Sequence, residues 1–221
     1  IMFPISDTSG RVIAFGGRII GRGEPKYLNS SDTPLFHKSK NLFGLDKART
    51  KILETKTVIV VEGYTDVIAL HEAGFSNAVA TLGTALTAQH VKLLSRFAHR
   101  IIYIFDGDEA GMRAASRAVE FIDKTITIET NSNPMVLDVV VLPDGQDPAE
   151  LTSKEEGKET FERCLSQAVP LIQFSIDRKL EQWDLSRSEE RQRALNDATA
   201  ILVPLRGTVM ASDYVQYIVD K

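Results

Sequence analysis

The sequence contains little cysteine and no long apolar run. Its only cysteine, Cys164, excludes an intrachain disulfide and a zinc site built from several cysteines, so we expect no zinc in this chain. Low cysteine usage fits a reducing compartment, and we therefore expect a cytoplasmic location. No apolar stretch approaches the roughly 20 residues that a membrane-spanning helix needs, so we expect no membrane partner.

Charge is distributed unevenly along the 221 residues. The whole chain has a net charge of −4, whereas residues 1–50 contain eight Lys and Arg against four Asp and Glu, a net charge of +4. The remaining residues therefore carry −8. A basic front on an acidic body favours a polyanionic partner bound on one face. Composition alone leaves open the alternative of a solvated charged surface.

The hydrophobic pattern changes twice along the chain. Residues 1–45 are interpreted as β-rich, with a bulge or a close backbone approach expected at Gly16 and Gly17. From residue 57 onward, short apolar runs alternate with helical spacing, which predicts a parallel sheet flanked by helices. Beyond Leu151 the chain is charged and helical. The expected units are a partial basic β-rich subdomain (1–50), an α/β domain (51–155) and a helical subdomain (156–221).

The same pattern predicts the individual elements. The predicted strands of the α/β domain are residues 57–61, 78–82, 101–105, 126–128 and 139–142. Its predicted helices are residues 64–73, a helix opened by Thr87, and residues 111–123. Three further helices are predicted at residues 155–165, 169–183 and 188–203.

Acidic residues follow three of the predicted strands. Glu62 follows the first, Asp106 and Asp108 flank a glycine after the third, and Asp147 lies shortly after the last. Because the carboxyl ends of parallel strands meet at one edge of a sheet, we expect these acids to converge there. Converging carboxylates repel one another, and hard divalent cations relieve that repulsion. The pattern predicts a site for Mg²⁺ or Mn²⁺, with two ions able to align an attacking hydroxyl and a leaving pyrophosphate.

The segments around these acids resemble known motifs. Residues 60–66 (VVEGYTD) and 105–111 (FDGDEAG) are similar to the glutamate and DxD motifs of the Toprim superfamily. Residues 142–148 (LPDGQDP) resemble the third acidic motif of bacterial DnaG-type primases. The basic segment of those primases is matched upstream by residues 15–18 (FGGR), 25–29 (PKYLN) and 33–38 (TPLFHK). The resemblance covers residues 1 to about 165 and implies a Toprim-type metal-binding domain.

The resemblance also implies roles for single residues. Catalysis is implied for Glu62, Asp106 and Asp108, and binding of two or more divalent ions for these three with Asp147. Asp66, one helical turn after Glu62, would be a supporting acid. Contact with nucleotide and template is implied for Arg18, Lys26, Asn29 and Lys38. Tyr27 is more simply a half-buried core residue than a base-stacking one, and Ala149 leaves open a ligand that many primases supply as aspartate.

The implied function is DNA primase activity. Such an enzyme makes short RNA primers on a single-stranded DNA template from ribonucleoside triphosphates, by metal-assisted nucleotidyl transfer. Because the chain begins with Ile1 and lacks the family's zinc-binding and helicase-binding domains, we expect a fragment of weak activity, with the replicative helicase bound elsewhere. A Toprim nuclease or topoisomerase and a non-catalytic Toprim domain are the alternatives. Neither explains the FGGR and PKYLN segments.

Overall fold

The computed structural model describes residues 1–105 and 135–221. The strands in this part of the chain are β1 (Met2–Ser6), β2 (Val12–Arg18), β3 (Tyr27–Asn29), β4 (Thr57–Val61), β5 (Ala78–Ala80), β6 (Arg100–Phe105), β7 (Val136–Val141) and β8 (Val169–Pro170). The first three form an antiparallel sheet, and the other five form a sheet of order β5-β4-β6-β7-β8. Strands β4 to β7 are parallel, and β8 runs antiparallel to β7.

Helices cover both faces of the larger sheet. They are α1 (Leu45–Thr55), α2 (Tyr64–Glu72), α3 (Ala88–Leu94), α4 (Pro148–Thr152), α5 (Gly157–Ser166), α6 (Leu171–Leu180), α7 (Ser188–Ala200) and α8 (Val209–Val219). Within the described ranges, no helix combines the length and apolar character needed to cross a membrane. The predicted architecture, an α/β parallel sheet flanked by helices with a β-rich start and a helical end, is confirmed.

Strand β4 shows why the central strands are continuous apolar runs. Its side chains point alternately to the two faces of the sheet, and helices pack on both. Val58 and Val60 belong to one core cluster with residues of α1, α3, α6, α7 and α8. Ile59 and Val61 belong to another with residues of α2, α4 and α5. All four are at most 2% exposed, so the strand is buried on both faces and its carboxyl end is fixed in place.

Some predicted elements differ from the observed ones. The helix predicted at 169–183 begins only at Leu171, because residues 169 and 170 pair with β7. Of the bulge or close backbone approach expected at Gly16 and Gly17, the bulge is absent from the described pairing of β2, whose register shift lies between Ile5 and Ser6 of β1. A close approach is present at Gly16, where an added Cβ atom would lie 2.6 Å from Tyr64. The helix predicted at 111–123 and the strand predicted at 126–128 lie outside the described residues.

The small sheet and the large sheet share a core. Phe3 and Ala14 of the small sheet pack in one cluster with Tyr64 of α2 and Leu82, which follows β5. A β-bridge between Phe43 and Ala80 also joins the segment before α1 to the edge strand β5. These contacts bring the basic N-terminal segment to the carboxyl edge of the parallel sheet.

Candidate functional site

Glu62 leaves the sheet directly after β4, and a tight turn brings Asp66 beside it. Gly63 is the N-cap of α2, and Asp66 occupies the third helical position. The Oδ2 atom of Asp66 accepts the backbone N–H of Gly63 at 3.1 Å, which satisfies a donor left free at the helix start. A Cβ atom on Gly63 would lie 2.5 Å from that oxygen. The glycine of the motif therefore leaves space for the carboxylate of Asp66.

Asp147 enters the same region from the other side. It is the N-cap of α4, and its Oδ1 atom accepts the backbone N–H of Glu150 at 2.7 Å. Helix α4 packs against α2, so the two helix starts lie close together. A cleft of about 350 Å³ lies between them and the small sheet. Its lining residues are Lys26, Tyr27, Asn29, Glu62, Gly63, Tyr64, Thr65, Asp66, Thr81, Gly83 and Asp147.

The carboxyl group of Asp66 is strongly perturbed. Its side chain is 6% exposed, and burial together with the charge of Asp147 raises its pKa to about 6. The charge of Glu62 contributes in the same direction. Its Oδ1 atom makes no hydrogen bond of ordinary geometry, although the nearby backbone of Ala149 opposes the pKa rise. The charges of Asp147 and Glu62 in the same cleft thus disfavour the ionised form of Asp66.

Cationic side chains lie on the opposite wall. Lys26 lines the acidic cleft and also a neighbouring cavity of about 610 Å³, which Arg18 and Arg22 line as well. The Nζ atom of Lys26 and the guanidinium of Arg18 lie 5.9 Å and 5.4 Å from the ring centre of Tyr27. Tyr27 is 38% exposed, so the expectation of a half-buried core residue was wrong. The cations form a surface continuous with the acidic cleft.

Comparisons with known proteins agree with this arrangement. Residues 1–49 match the family model for the N-terminal domain of the DNA primase catalytic core, and residues 56–131 match that for the Toprim domain. The solved catalytic core of the Escherichia coli primase is 42% identical and has a TM-score of 0.85, covering 99% of this chain and 68% of that one. The chain belongs to the bacterial DnaG-type DNA primases. The predicted resemblance and the Toprim-type fold are confirmed.

Two further comparisons define the extent of the match. A solved DnaG catalytic domain bound to single-stranded DNA is 41% identical, with a TM-score of 0.85, and covers 100% of this chain and 69% of that one. The DNA primase of Escherichia coli strain K12 is 43% identical over 95% of this chain. The chain spans 35% of that primase, about a third of the length of the curated primases that it matches.

The donor set fits the divalent ions expected of a Toprim primase, but only in part within the described residues. Glu62, Asp66 and Asp147 offer the carboxylate oxygens that hard cations prefer, and Asp66 has an unbonded buried oxygen. Among residues 1–105 and 135–221, no three acidic, histidine or cysteine side chains approach closely enough to form a metal site. Asp106 and Asp108 lie outside the described residues.

The position of β6 bears on those two aspartates. Strand β6 lies between β4 and β7 in the sheet and ends at the buried Phe105. The strand that precedes the DxD motif therefore ends between the strand that leads to Glu62 and the strand that leads to Asp147. This order is compatible with a primase metal site shared by all three strands.

Asn29 and Lys38 are placed differently in this chain. Asn29 lies in the cleft, where its Nδ2 atom donates to the carbonyl of Leu82 at 3.1 Å and its Oδ1 atom is buried without a partner among the described residues. Lys38 is not among the residues that line the cleft. The Nε2 atom of the buried His90 donates to the carbonyls of Lys38 and Asn41 at 2.9 and 3.1 Å, which fixes the Lys38 backbone against α3.

Sequence reasoning missed several residues of this primase cleft. Tyr64, Thr65, Thr81 and Gly83 line it, although only the acids and the basic segment were predicted to do so. Tyr64 and Thr65 lie inside the glutamate motif, so their position in that motif was the available signal. Thr81 and Gly83 follow the edge strand β5, at the same carboxyl edge of the sheet as Glu62.

Proposed function

We propose that this chain is the polymerising core of a DNA primase, which makes short RNA primers on single-stranded DNA during replication. The observation that carries the proposal is the cleft in which Glu62, Asp66 and Asp147 face Lys26 and Asn29. Acids that suit divalent cations and cations that suit phosphate thus share one cavity. Ribonucleoside triphosphates, the template and the growing RNA primer are the proposed ligands. The DnaG catalytic domain solved with single-stranded DNA supports the choice of template.

The acidic residues are the proposed ligands for catalytic ions. Glu62, Asp106, Asp108 and Asp147 would bind two or more Mg²⁺ or Mn²⁺ ions, with Asp66 as the supporting acid. Such ions lower the pKa of a bound hydroxyl and neutralise charge on the transferred phosphoryl group. Asp66 keeps the turn after Glu62 closed through its hydrogen bond to Gly63. Asp147 keeps the start of α4 closed through its bond to Glu150.

The cationic residues are the proposed ligands for phosphate. Arg18 presents a planar guanidinium that can bind two phosphate oxygens at once, and Lys26 presents a point charge between the two cavities. Asn29 would orient the nucleotide or template in the cleft. Lys38 would contact the nucleic acid outside the cleft, from the loop fixed by His90.

Some parts of the proposal concern the longer protein. The replicative helicase would bind through a domain other than the three units proposed here, which are residues 1–50, 51–155 and 156–221. The isolated chain would then bind metal and nucleotide but synthesise primers weakly. We also infer a cytoplasmic location, because the template is the replicating chromosome.

The direct test is primer synthesis by carboxylate variants. We expect Glu62→Gln and Asp106→Asn to abolish incorporation of labelled ribonucleotides on a single-stranded template, with unchanged circular dichroism. Glu72→Gln is the matched control, because Glu72 is an exposed acid at the far end of α2, the helix that begins two residues after Glu62. Primer yield near the wild-type level in Glu62→Gln would contradict the proposal. Nicking of supercoiled DNA without ribonucleotide incorporation would instead favour a Toprim nuclease.

A further inference from the structure

The ring of Tyr64 contacts three separate segments of the basic N-terminal region. Phe3 of β1 stacks on it with ring centres 5.1 Å apart and planes inclined by 23°. Phe43, from the segment before α1, meets it edge to face at 4.9 Å. Tyr27 of β3 lies 6.5 Å from it. Aromatic rings prefer these offset and edge-on geometries, so one side chain of α2 fixes the position of all three segments.

Strand β2 passes over the ring of Tyr64 at Gly16. A Cβ atom on Gly16 would lie 2.6 Å from both Cζ and the hydroxyl oxygen of Tyr64. A real Cβ atom does not approach another atom that closely, and a ring packed among aromatic neighbours cannot move aside cheaply. The neighbouring Gly17 differs, since its Cβ would meet Met2 Sδ at an ordinary 3.4 Å. Gly16 is therefore the position at which β2 needs a glycine to reach Tyr64.

Tyr64 is also close in sequence to two of the acids. It is the first residue of α2 and lies two positions from Glu62 and two from Asp66. It is 4% exposed, and burial raises its pKa to about 12, so the phenol stays neutral. Its hydroxyl is buried without a hydrogen-bond partner among the described residues. The contribution of this side chain is therefore the packing of its ring.

We propose that Tyr64 is a positioning residue that sets the distance between the wall that carries Lys26 and Asn29 and the acids of the cleft. The inference rests on the proposed function, because a fixed spacing matters when phosphate must meet both walls. Displacement of β2 and β3 leaves the carboxylates in place but moves the cations. The loss should then fall on substrate and template binding, and not on the affinity for divalent ions.

The first experiment compares two adjacent glycines. Gly16→Ala inserts a methyl group against the Tyr64 ring, whereas Gly17→Ala makes the same change in ordinary contact with Met2. Because the displaced cations no longer meet phosphate from the position they hold in the wild-type chain, we expect Gly16→Ala to weaken binding of a labelled oligothymidylate about tenfold, a loss of about 1.4 kcal/mol. Gly17→Ala should bind within about twofold of the wild-type chain. Equal losses in the two variants would overturn the proposal.

The second experiment separates the ring from general core packing. Tyr64→Leu removes the ring, Tyr64→Phe keeps it, and Phe161→Leu truncates an aromatic side chain buried in the separate cluster around Phe75. We expect Tyr64→Leu to raise the KM for ribonucleoside triphosphate about tenfold with a smaller change in kcat, as expected when ground-state contacts are lost. Tyr64→Phe should lose much less. If Tyr64→Leu and Phe161→Leu lower stability alike and leave KM alone, Tyr64 is merely a core residue.

A third measurement does not depend on activity. Amide hydrogen exchange should quicken in β2, β3 and residues 81–83 of Gly16→Ala and Tyr64→Leu, while Mn²⁺ binding measured by electron paramagnetic resonance stays at the wild-type level. Unchanged exchange in both variants would refute the positioning role whatever the activity. If the wild-type chain bound neither Mn²⁺ nor oligothymidylate, the proposed function would fail instead, and the exchange result would still report on Tyr64.

Discussion

Asp66 and Asp147 face one cleft, and their carboxyl groups interact electrostatically. Burial is the main reason that the pKa of Asp66 rises from 3.8 to about 6, and the charge of Asp147 adds to it. The folded state therefore binds this proton more tightly than the unfolded chain does, and ionisation of Asp66 opposes folding. The free energy of unfolding should fall as the pH rises from about 3.8 to about 6, and this contribution should be constant above that range.

Replacement of Asp66 by asparagine removes this titration. A pKa rise of about two units corresponds to about 3 kcal/mol of unfolding free energy. The substitution also weakens the hydrogen bond to Gly63, so we expect the free energy of unfolding of Asp66→Asn at pH 7 to exceed that of the wild-type chain by about 2 kcal/mol. The variant should therefore unfold at a higher urea concentration. Urea unfolding in EDTA between pH 4 and 7.5 measures both the gain and the lost pH slope. Asp213→Asn, an exposed acid on α8, controls for removal of one charge. An unchanged slope in Asp66→Asn would show that another group titrates there.

Asp147 has a structural role that can be separated from its charge. Its Oδ1 atom caps α4, and asparagine caps about as well as aspartate, whereas alanine does not. We expect Asp147→Ala to lose about 1 kcal/mol of stability and Asp147→Asn to lose little. Both should impair primer synthesis, since both remove the negatively charged carboxylate that is the proposed metal ligand. Full synthesis by Asp147→Asn would restrict this residue to capping.

His90 is expected to stabilise the loop that carries Lys38. Its Nδ1 atom accepts the N–H of Thr87 at 3.1 Å while Nε2 donates to the loop carbonyls, so the ring must be neutral. We expect His90→Leu to cost about 3 kcal/mol, because several buried groups lose their partner. Burial lowers the pKa of His90, so the unfolded chain takes up the proton first and stability falls as the pH drops through about 6.5.

The pH dependence of unfolding measures that contribution. His90→Gln should reduce the loss of unfolding free energy that the wild-type chain shows below about pH 6.5. His37→Gln is the control, because it removes an imidazole from the same loop at a half-exposed position, and it should keep the wild-type pH profile. If both variants kept the wild-type pH profile, the neutral His90 ring would not be what fixes the loop. The Asp66 contribution has the opposite sign and changes between about pH 3.8 and 6, which overlaps the range below 6.5 in which the His90 contribution is lost. The two are therefore separated by comparing the Asp66→Asn and His90→Gln profiles with that of the wild-type chain.

Lys26 should contribute to nucleic-acid binding mainly through its charge. We expect Lys26→Ala to weaken binding of all single-stranded oligonucleotides to a similar extent and to reduce the slope of log K against log salt by about 1. A fluorescence anisotropy titration across salt concentrations measures the slope. Lys47→Ala, an exposed lysine on α1, is the matched control. An unchanged slope for Lys26→Ala would show that Lys26 does not contact a phosphate of the bound oligonucleotide.

The central strands were predictable because a strand that is buried on both faces is a continuous run of apolar residues in the sequence. Residues 57–61 form a strand with the predicted bounds, and the side chains of residues 58–61 all pack in the two core clusters that contain helix residues. Thr87 was predicted to open a helix and does so, because its hydroxyl accepts the N–H of His90. In contrast, residues 169 and 170 pair with β7 through two positions only, too few for a periodic pattern.

The acids of the site were predictable, but the opposite wall was only partly so. Glu62 follows β4 and Asp147 follows β7 at the same edge of the sheet, and Asp66 lies one helical turn after Glu62. The motif places Tyr64 near the acids, but its ring packing could not be predicted from sequence, because its partners Phe3, Tyr27 and Phe43 come from segments distant along the chain. Tyr27 was misjudged for a related reason, since its exposure depends on how the small sheet meets the large one.

The bridge between Phe43 and Ala80 has a consequence for self-association. Strand β5 is an edge of the parallel sheet, and open edges recruit strands from other molecules. Here the N–H of Phe43 donates to the carbonyl of Ala80 at 2.9 Å, and the N–H of Ala80 donates to the carbonyl of Phe43 at 3.0 Å. Because the N–H and the carbonyl of Ala80 are both hydrogen-bonded to Phe43, they are not available to pair with a strand of another molecule. The bridge therefore opposes intermolecular extension of the sheet, and with it aggregation, at that edge.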